Sequence, residues 1–480
     1  MSSAIPAATT EVAGPLEAAA SASAAMAAMP PAERAGAMDA AAEALDAAAA
    51  ELVPLAARET HLAIPRLEGE LKRTTFQLRL LATTIRTGTH LGVVIDAADD
   101  GWATGPRRDM RRMLIPVGPV VVFAASNFPF AFSVAGGDTA AAIAAGCPVV
   151  VKAHPGHPLL SQRVFDIMHA ALIGAGLPDG ALSIVFGVEN GRQLVLDDRV
   201  EAVAFTGSTG GGRALFDLAT SRPRPIPFYG ELGSTNPVFV TEAAVAERGD
   251  EIWSQFADSN SLGAGQFCTK PGIMFVPESS EAADKIAGHL AAKGSFTLLN
   301  EHIAGGFDRV LSGLEANPGV RVVLPGSRAG DEASPTLLAT DLASFTADES
   351  LHEECFGPAG LVVSYPQGTD LAEVATQFTG ELTASVHGTV GDASVAPLVT
   401  ALQARAGRVL WNDWPTGVSV THAMEHGGPY PASTSSRDTS VGTATIGRFL
   451  RPVAFQNFPA ARLPPALQDA NPWAVEQKRP

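Results

Sequence analysis

Four short apolar stretches in the first half of the chain constrain its fold more than any other feature. Residues 117–123 (VGPVVVF), 148–151 (PVVV), 182–186 (LSIVF) and 202–205 (AVAF) are dominated by β-branched and aromatic side chains, with almost no polar alternation. A strand with two apolar faces belongs in a parallel sheet covered on both sides. Residues 136–145, 161–175 and 191–196 between them read as helices, so the order is strand, helix, strand. Ligands in such sheets lie beyond the carboxyl ends of the strands. Lys152, Gly187 and Gly207 stand at those ends. The alternation resumes with strand-like 272–276, 360–364, 384–388 and 408–411 and helical 282–293 and 371–378. A chain of 480 residues exceeds one ordinary core and implies two or three domains.

The formal net charge of −17 makes nucleic acid and anionic membrane poor partners. It would also slow an anionic substrate, which would need local positive groups. Three cysteines, Cys147, Cys268 and Cys355, are too few and too odd in number for a disulfide framework, and they suit a reducing, cytoplasmic compartment. No ligand cluster predicts a metal. The amino terminus lacks a basic start followed by an apolar core, so no signal peptide is expected. The longest apolar run, 128–151, is broken by Pro129, Asp138 and Pro148, which argues against a membrane span.

Residues 1 to about 15 read as a loose arm, 38–53 as a helix that Pro54 ends or kinks, and 65–86 as a further helix. Residues 90–97 and 110–117 are strand-like and predict a hairpin standing off the main body. Residues 414–436 have almost no period, and aperiodic loops of that length are usually functional. Residues 449–458 read as a last strand, and the Pro-rich remainder as exposed.

Three stretches carry chemistry. Residues 263–272 (GAGQFCTKPG) hold Cys268 among small and turn-forming residues, where glycines permit close backbone approach. Read alone, a presented nucleophile and a buried structural thiol have equal weight. Residues 206–213 (TGSTGGGR) follow a strand and open a helix, a place for phosphate or simply a turn. The spacing is not that of the dinucleotide fingerprint. Glu231, in FYGELGSTNP, is either a solvated loop carboxylate or a base held in a cleft.

Taken in order, Asn127, Lys152, Gly207-Ser208, Glu231-Leu232-Gly233, Cys268 and Glu354-Cys355-Phe356-Gly357-Pro358 resemble the aldehyde dehydrogenase superfamily from about residue 16 to 473. Within it the stretches VGPVVVFAASNFPFAFSVAGGDTA, PVVVKAHPGHP, FYGELGSTNPVF, GQFCTKPG and HGGPYPAST are most similar to 2-oxoglutarate semialdehyde (2,5-dioxopentanoate) dehydrogenases and fatty-aldehyde relatives. The resemblance implies Cys268 as nucleophile, Asn127 and the Cys268 N–H as oxyanion donors, and Glu231 as the base that activates water. A carboxylate with a raised pKa would suit that last role. Cys147 and Cys355 are read as structural.

For the cofactor, the resemblance points to Lys152, Gly187, Gly207, Ser208, Leu232, Glu354 and Phe356. Where many NAD-specific members carry a Glu to grip the ribose 2′-hydroxyl, this chain has Pro155, with His154 and His157 nearby. NADP is therefore favoured, with NAD possible. Substrate candidates are His426, Phe132 and Arg73, with Arg79 beside it for a carboxylate. Phe128, Phe130 and Phe132 would instead line a channel for an alkyl chain.

The implied fold is α/β: a cofactor domain (1–87 and 117–232), a catalytic α/β domain (233–443), a small bridging β element (88–116 and 444–463) and a tail (464–480). The bridging strands would have unpaired edges, which a homodimer or homotetramer would cover. The implied activity is oxidation of a small aldehyde to an acid, first 2-oxoglutarate semialdehyde. A fatty or broad-range aldehyde dehydrogenase is the alternative, followed by a non-catalytic homologue. Transfer of the acyl group to a thiol carrier is disfavoured by the presence of Glu231.

Overall fold

The computed structural model describes residues 11–480. The four apolar stretches become neighbouring strands of one parallel five-stranded sheet, in the spatial order Leu182–Val185, Val149–Lys152, Val120–Phe123 and Ala202–Thr206, with Phe228–Glu231 beyond the last. The central strand pairs Val120 with both Val149 and Ala202, and all four of its residues are buried. That two-sided burial explains the missing alternation.

The helices Pro31–Ala47, Ala49–Thr60 and Ile64–Arg86 cover one face of this sheet, packing on Val120, Val122 and Val149, while Leu16 and Ala19 of the helix before them pack on the opposite face with Val121 and Val150. The helix Ala13–Ala28 buries Leu16, Ala19 and Met26, so the loose arm expected to about residue 15 ends sooner, and residues 1–10 lie outside the described part. The next helices are Pro31–Ala47, Ala49–Thr60 and Ile64–Arg86. The break falls at Ala48, and Pro54 lies inside a helix. The chain re-initiates at Ala49, so Pro54 is the sixth residue of the new helix, past its first turn, and leaves one i→i−4 hydrogen bond unmade.

The second large sheet has seven strands, in the order Arg321–Leu324, Thr336–Asp341, Ala359–Tyr365, Ile273–Pro277, Val238–Val240, Glu381–His387 and Ala406–Trp411. Only the first runs antiparallel to its neighbour. The first sheet ends in Glu231 and the second takes up Ile273 just after the cysteine loop, so the carboxyl edge of the first sheet meets the amino edge of the second and brings Glu231 and Cys268 together.

A four-stranded sheet orders Leu450–Gln456, Met110–Pro116, Val93–Asp96 and Gln477–Lys478. The expected hairpin is there, with Val94 opposite Arg112. The exposed tail is not. Val93 and Val94 pair with Gln477 and Lys478, and Leu463, Ala466, Leu467 and Val475 join a small core with Val93, Ile95 and Met113. Their apolar residues are spaced irregularly among prolines, so no period announced the burial.

Candidate active site

The cysteine loop is shaped by backbone that only small residues accept. Gly263, Ala264 and Gly265 follow one another in the left-handed region, at φ 58°, 61° and 65°. A Cβ on Gly265 would lie 2.1 Å from the Gly357 carbonyl oxygen. This turn ends the helix Glu242–Ser261 and its short extension and swings Cys268 to the sheet edge. The loop is then fastened from below. Asn236 Nδ2 donates to the carbonyls of Cys268 (2.9 Å) and Lys270 (3.0 Å). The Lys270 ammonium donates to the carbonyls of Cys355, Gly357 and Ala359, tying the loop to the Glu354–Phe356 segment. Glu381 accepts from Ser234, Thr235 and Asn236, which fixes Asn236 in turn.

Around Cys268 stand Glu231 and His426. Glu231 closes its strand and bridges to Ser433, while Leu232 N donates to Ala432 O at 2.8 Å. The 426–433 segment is thereby laid along Glu231. His426 Nε2 is 3.5 Å from Cys268 Sγ and 3.0 Å from Glu231 Oε1. The Ser440 hydroxyl donates to Glu231 Oε2, and Thr439 Oγ1 accepts the His426 N–H at 2.8 Å. The acid, thiol and imidazole atoms lie within 4.8 Å of one another.

Burial pushes the Cys268 thiol well above its ordinary pKa, and the Glu231 carboxylate adds to this. Burial pushes Glu231 up as well, but His426 and then Ser440 outweigh it, and the net shift is downward. This corrects the expectation of a base with a raised pKa. The structure holds Glu231 ionised, in contact with both the imidazole and the thiol.

The oxyanion side is organised by one helix. From Ile64–Arg86, Arg66, Glu70, Arg73 and Gln77 project at helical spacing toward the segment beginning at Asn127. Arg66 donates to Asn127 O at 2.6 Å and lies over the Phe128 and Phe267 rings. Glu70 accepts the N–H groups of Phe130 and Ala131 at 2.8 and 3.0 Å. Arg73 lies over the Phe132 ring, which is 6.2 Å from His426. Asn127 Nδ2 donates to Gln266 O at 3.1 Å, beside the cysteine loop. Arg79 is elsewhere: it pairs with Asp46 on the exposed face. Six residues beyond Arg73 is off the inward stripe.

On the cofactor side, Lys152 ends its strand buried, with no protein hydrogen bond to its ammonium among the described residues, and desolvation lowers its pKa. A buried cation with open donors at the carboxyl edge of a parallel sheet fits a polar or anionic ligand. Gly187, at φ 90°, opens the helix Val188–Leu196. Ser208 caps the helix Thr209–Ser221, accepting from Gly211 N at 3.3 Å. Its first turn is exposed and free to face phosphate. Leu232 packs so closely that a Cβ on Gly212 would lie 2.2 Å from it. Glu354 lies close to Gly233, and burial raises its carboxyl to about 8. Phe356 is half-buried and Pro155 exposed.

The residues present therefore fit a dinucleotide, apart from the histidines. His157 is fully buried and bonded to Ala125 O and Ser161 Oγ, so it does not reach a ribose. Burial holds His154 neutral, its pKa lowered to about 3, and its Nδ1 accepts from Gly156 N.

The residues that sequence reasoning missed are Arg66, Glu70, Asn236, Lys270, Glu381, Arg408 and Ser440. The helical spacing of the first two with Arg73 was the available signal.

Residues 3–301 match the profile described as the aldehyde dehydrogenase family. The chain belongs to the aldehyde dehydrogenase family. It is 43% identical over 460 residues to alpha-ketoglutaric semialdehyde dehydrogenase 2 of Azospirillum brasilense, covering 94% of this chain and 88% of that one. It is 40% identical to alpha-ketoglutaric semialdehyde dehydrogenase of Acinetobacter baylyi, covering 92% and 86%. Among solved structures, it superposes on NADP-dependent glyceraldehyde-3-phosphate dehydrogenase of Bacillus halodurans, complexed with NADP, with a TM-score of 0.77. That match has 21% identity and covers 92% of this chain and 90% of that one. At that identity the likeness establishes the aldehyde dehydrogenase fold. This aldehyde dehydrogenase is an NAD(P)-dependent enzyme of small aldehydes.

Proposed function

We propose that the enzyme oxidises 2-oxoglutarate semialdehyde to 2-oxoglutarate, with NADP preferred, through a covalent intermediate on Cys268. The observation that carries this reading is the line Cys268–His426–Glu231 beside Asn127, in a chain similar to two alpha-ketoglutaric semialdehyde dehydrogenases.

The chemistry follows from the positions. His426 Nε2, 3.5 Å from the sulfur, takes the thiol proton, and Glu231 stabilises the imidazolium. This compensates for a thiol whose own pKa is unfavourably high. The thiolate adds to the aldehyde carbon. The Asn127 amide and the Cys268 backbone N–H receive the developing oxyanion. A bound nicotinamide supplies the hydride acceptor. The acyl group is then a thioester on Cys268. Glu231 draws a proton from water, the hydroxide displaces the sulfur, and the departing thiolate recovers the proton held on His426.

Lys152, Gly187, Gly207, Ser208, Leu232, Glu354 and Phe356 would hold the dinucleotide, with Lys152 near the adenosine ribose. Pro155 leaves no carboxylate to repel a 2′-phosphate, which supports NADP. Arg73, with Nη1 buried and without a hydrogen-bond partner among the described residues, would take the substrate carboxylate, and Phe132 would form the wall between it and His426.

Residues 1–87 and 117–232 would form the cofactor domain, 233–443 the catalytic domain, and 88–116 with 444–463 the bridging element. The outer edge Leu450–Gln456 of the four-stranded sheet is unpaired among the described residues, which supports a homodimer or homotetramer. We place the enzyme in the cytoplasm.

The test compares initial rates of NADPH formation with 2-oxoglutarate semialdehyde and a medium-chain alkanal. Higher kcat/KM for the dicarbonyl acid supports the proposal. Higher kcat/KM for the alkanal moves the assignment to a fatty-aldehyde dehydrogenase with the Phe128–Phe132 wall as its channel. A kcat/KM with NAD equal to or above that with NADP removes the cofactor preference.

A further inference from the structure

Arg408 lies on the last strand of the seven-stranded sheet, Ala406–Trp411, where an arginine reads as an ordinary solvated edge residue. Its side chain turns inward instead. Nη2 donates to Pro415 O at 2.6 Å and Nη1 to Gly417 O at 2.8 Å. Nε is buried and has no hydrogen-bond partner among the described residues. Arg73 reaches the same loop from the helix Ile64–Arg86: its Nε lies 3.4 Å from Val418 O, and its buried Nη1 is likewise unpaired. Two guanidinium groups, one from a helix and one from an edge strand, thus converge on residues 415–418, each with a spare buried N–H.

Both also act on the reacting sulfur, since each is electrostatically coupled to Cys268. The acidic groups facing them are few. Asp413 acts on Arg408, while Glu70 and Glu231 act on Arg73. Glu70 is committed to the Phe130 and Ala131 N–H groups and shared with Arg66. Glu231 is engaged by His426 and Ser440. Neither arginine has an ion pair of its own within 4 Å among the described residues. Leaving a desolvated guanidinium N–H without an acceptor is costly, and planar donors of this kind match a carboxylate. In a chain of net charge −17, such a pair also supplies the local attraction that an anionic substrate needs.

We propose that Arg408 and Arg73 together form the receiving site for the substrate's carboxylate, so that the enzyme selects short aldehydes whose far end is an acid. The proposal rests on the dicarbonyl-acid reading and deepens it by assigning a second, previously unassigned specificity residue. Arg73 lies over the Phe132 ring beside His426, which puts the anchor close to the nucleophile and suits a short chain. Because Arg408 holds the Pro415 and Gly417 carbonyls and Arg73 reaches Val418 O, the loop braces both guanidinium groups.

The test measures kcat and KM of wild type, Arg408→Gln and Arg408→Lys with 2-oxoglutarate semialdehyde and with a medium-chain alkanal. The product 2-oxoglutarate is titrated calorimetrically against all three proteins. Arg408→Gln is expected to lower the acid-to-alkanal ratio of kcat/KM at least about tenfold, chiefly through KM for the acid. It should weaken 2-oxoglutarate binding by a similar factor, with Arg408→Lys between the two because it keeps charge but loses the fork. Equal losses on both substrates, or an unchanged ratio, would show that Arg408 only braces the loop and would overturn the proposal. If Arg408→Gln does not fold, Arg408→Lys and its 2-oxoglutarate affinity decide, unchanged affinity being the contrary result. A wild type that already prefers the alkanal would defeat the substrate reading itself, and this proposal with it. Retained wild-type preference with an unchanged variant ratio would defeat the Arg408 assignment alone.

Discussion

The Nε2 atom of His426 lies 3.5 Å from the sulfur of Cys268. That separation gives the thiol a neighbouring proton acceptor although burial and Glu231 both oppose its ionisation.

Two variants should therefore shift the Cys268 titration in opposite directions. Glu231→Gln removes a carboxylate that raises the thiol pKa. The pH midpoint of its inactivation by iodoacetamide is expected to fall, even though turnover is lost. His426→Gln removes the proton acceptor, so the midpoint should rise and kcat/KM should drop on the order of 10²-fold. Midpoints moving together would separate His426 from thiol activation.

The turn before the cysteine should tolerate no side chain at Gly265. An alanine there would meet the Gly357 carbonyl and sit at φ 65°. Gly265→Ala is expected to cost ~1–3 kcal/mol of stability and to lower kcat more than dinucleotide affinity. Chemical denaturation and cofactor titration read the two effects. Unchanged kcat would mean that the loop can relax without moving the sulfur.

Acid should destabilise the fold through buried neutral histidines. Burial lowers His90, His154 and His387 to about 3, whereas the unfolded chain binds those protons near pH 6.5. Between these values the unfolded state holds more protons, so stability falls as pH falls through the window. The slope is at most about 1.4 kcal/mol per pH unit for each histidine. Tm measured from pH 7 to pH 4 should decline, and His387→Gln should flatten the decline. A flat wild-type profile would contradict this.

Much of this architecture was legible because two-sided strands declare themselves: VVVF and VVVK cannot serve as half-exposed strands. Cys268, Glu231 and Asn127 were legible as an ordered set. Arg79 was misplaced because resemblance alone nominated it, whereas the helical stripe Arg66, Glu70, Arg73 points inward and Arg79 does not. Glu70 and Arg408 were overlooked because a charged residue on a helix or edge strand ordinarily faces water. Only tertiary packing reveals that Glu70 is 5% exposed. The lowered pKa of Glu231 could not be read either, since it depends on His426 and Ser440, which are nearly two hundred residues or more away in the sequence.

On the proposed mechanism Cys268 carries the acyl group and the Glu231–His426 pair releases it. The most direct measurement is the intact mass, followed by peptide mapping, of Glu231→Gln protein mixed with 2-oxoglutarate semialdehyde and NADP. One acyl group should accumulate on Cys268, with one equivalent of NADPH formed in a burst and little turnover afterwards. Normal turnover without an adduct, or an adduct on Cys147 or Cys355, would contradict it.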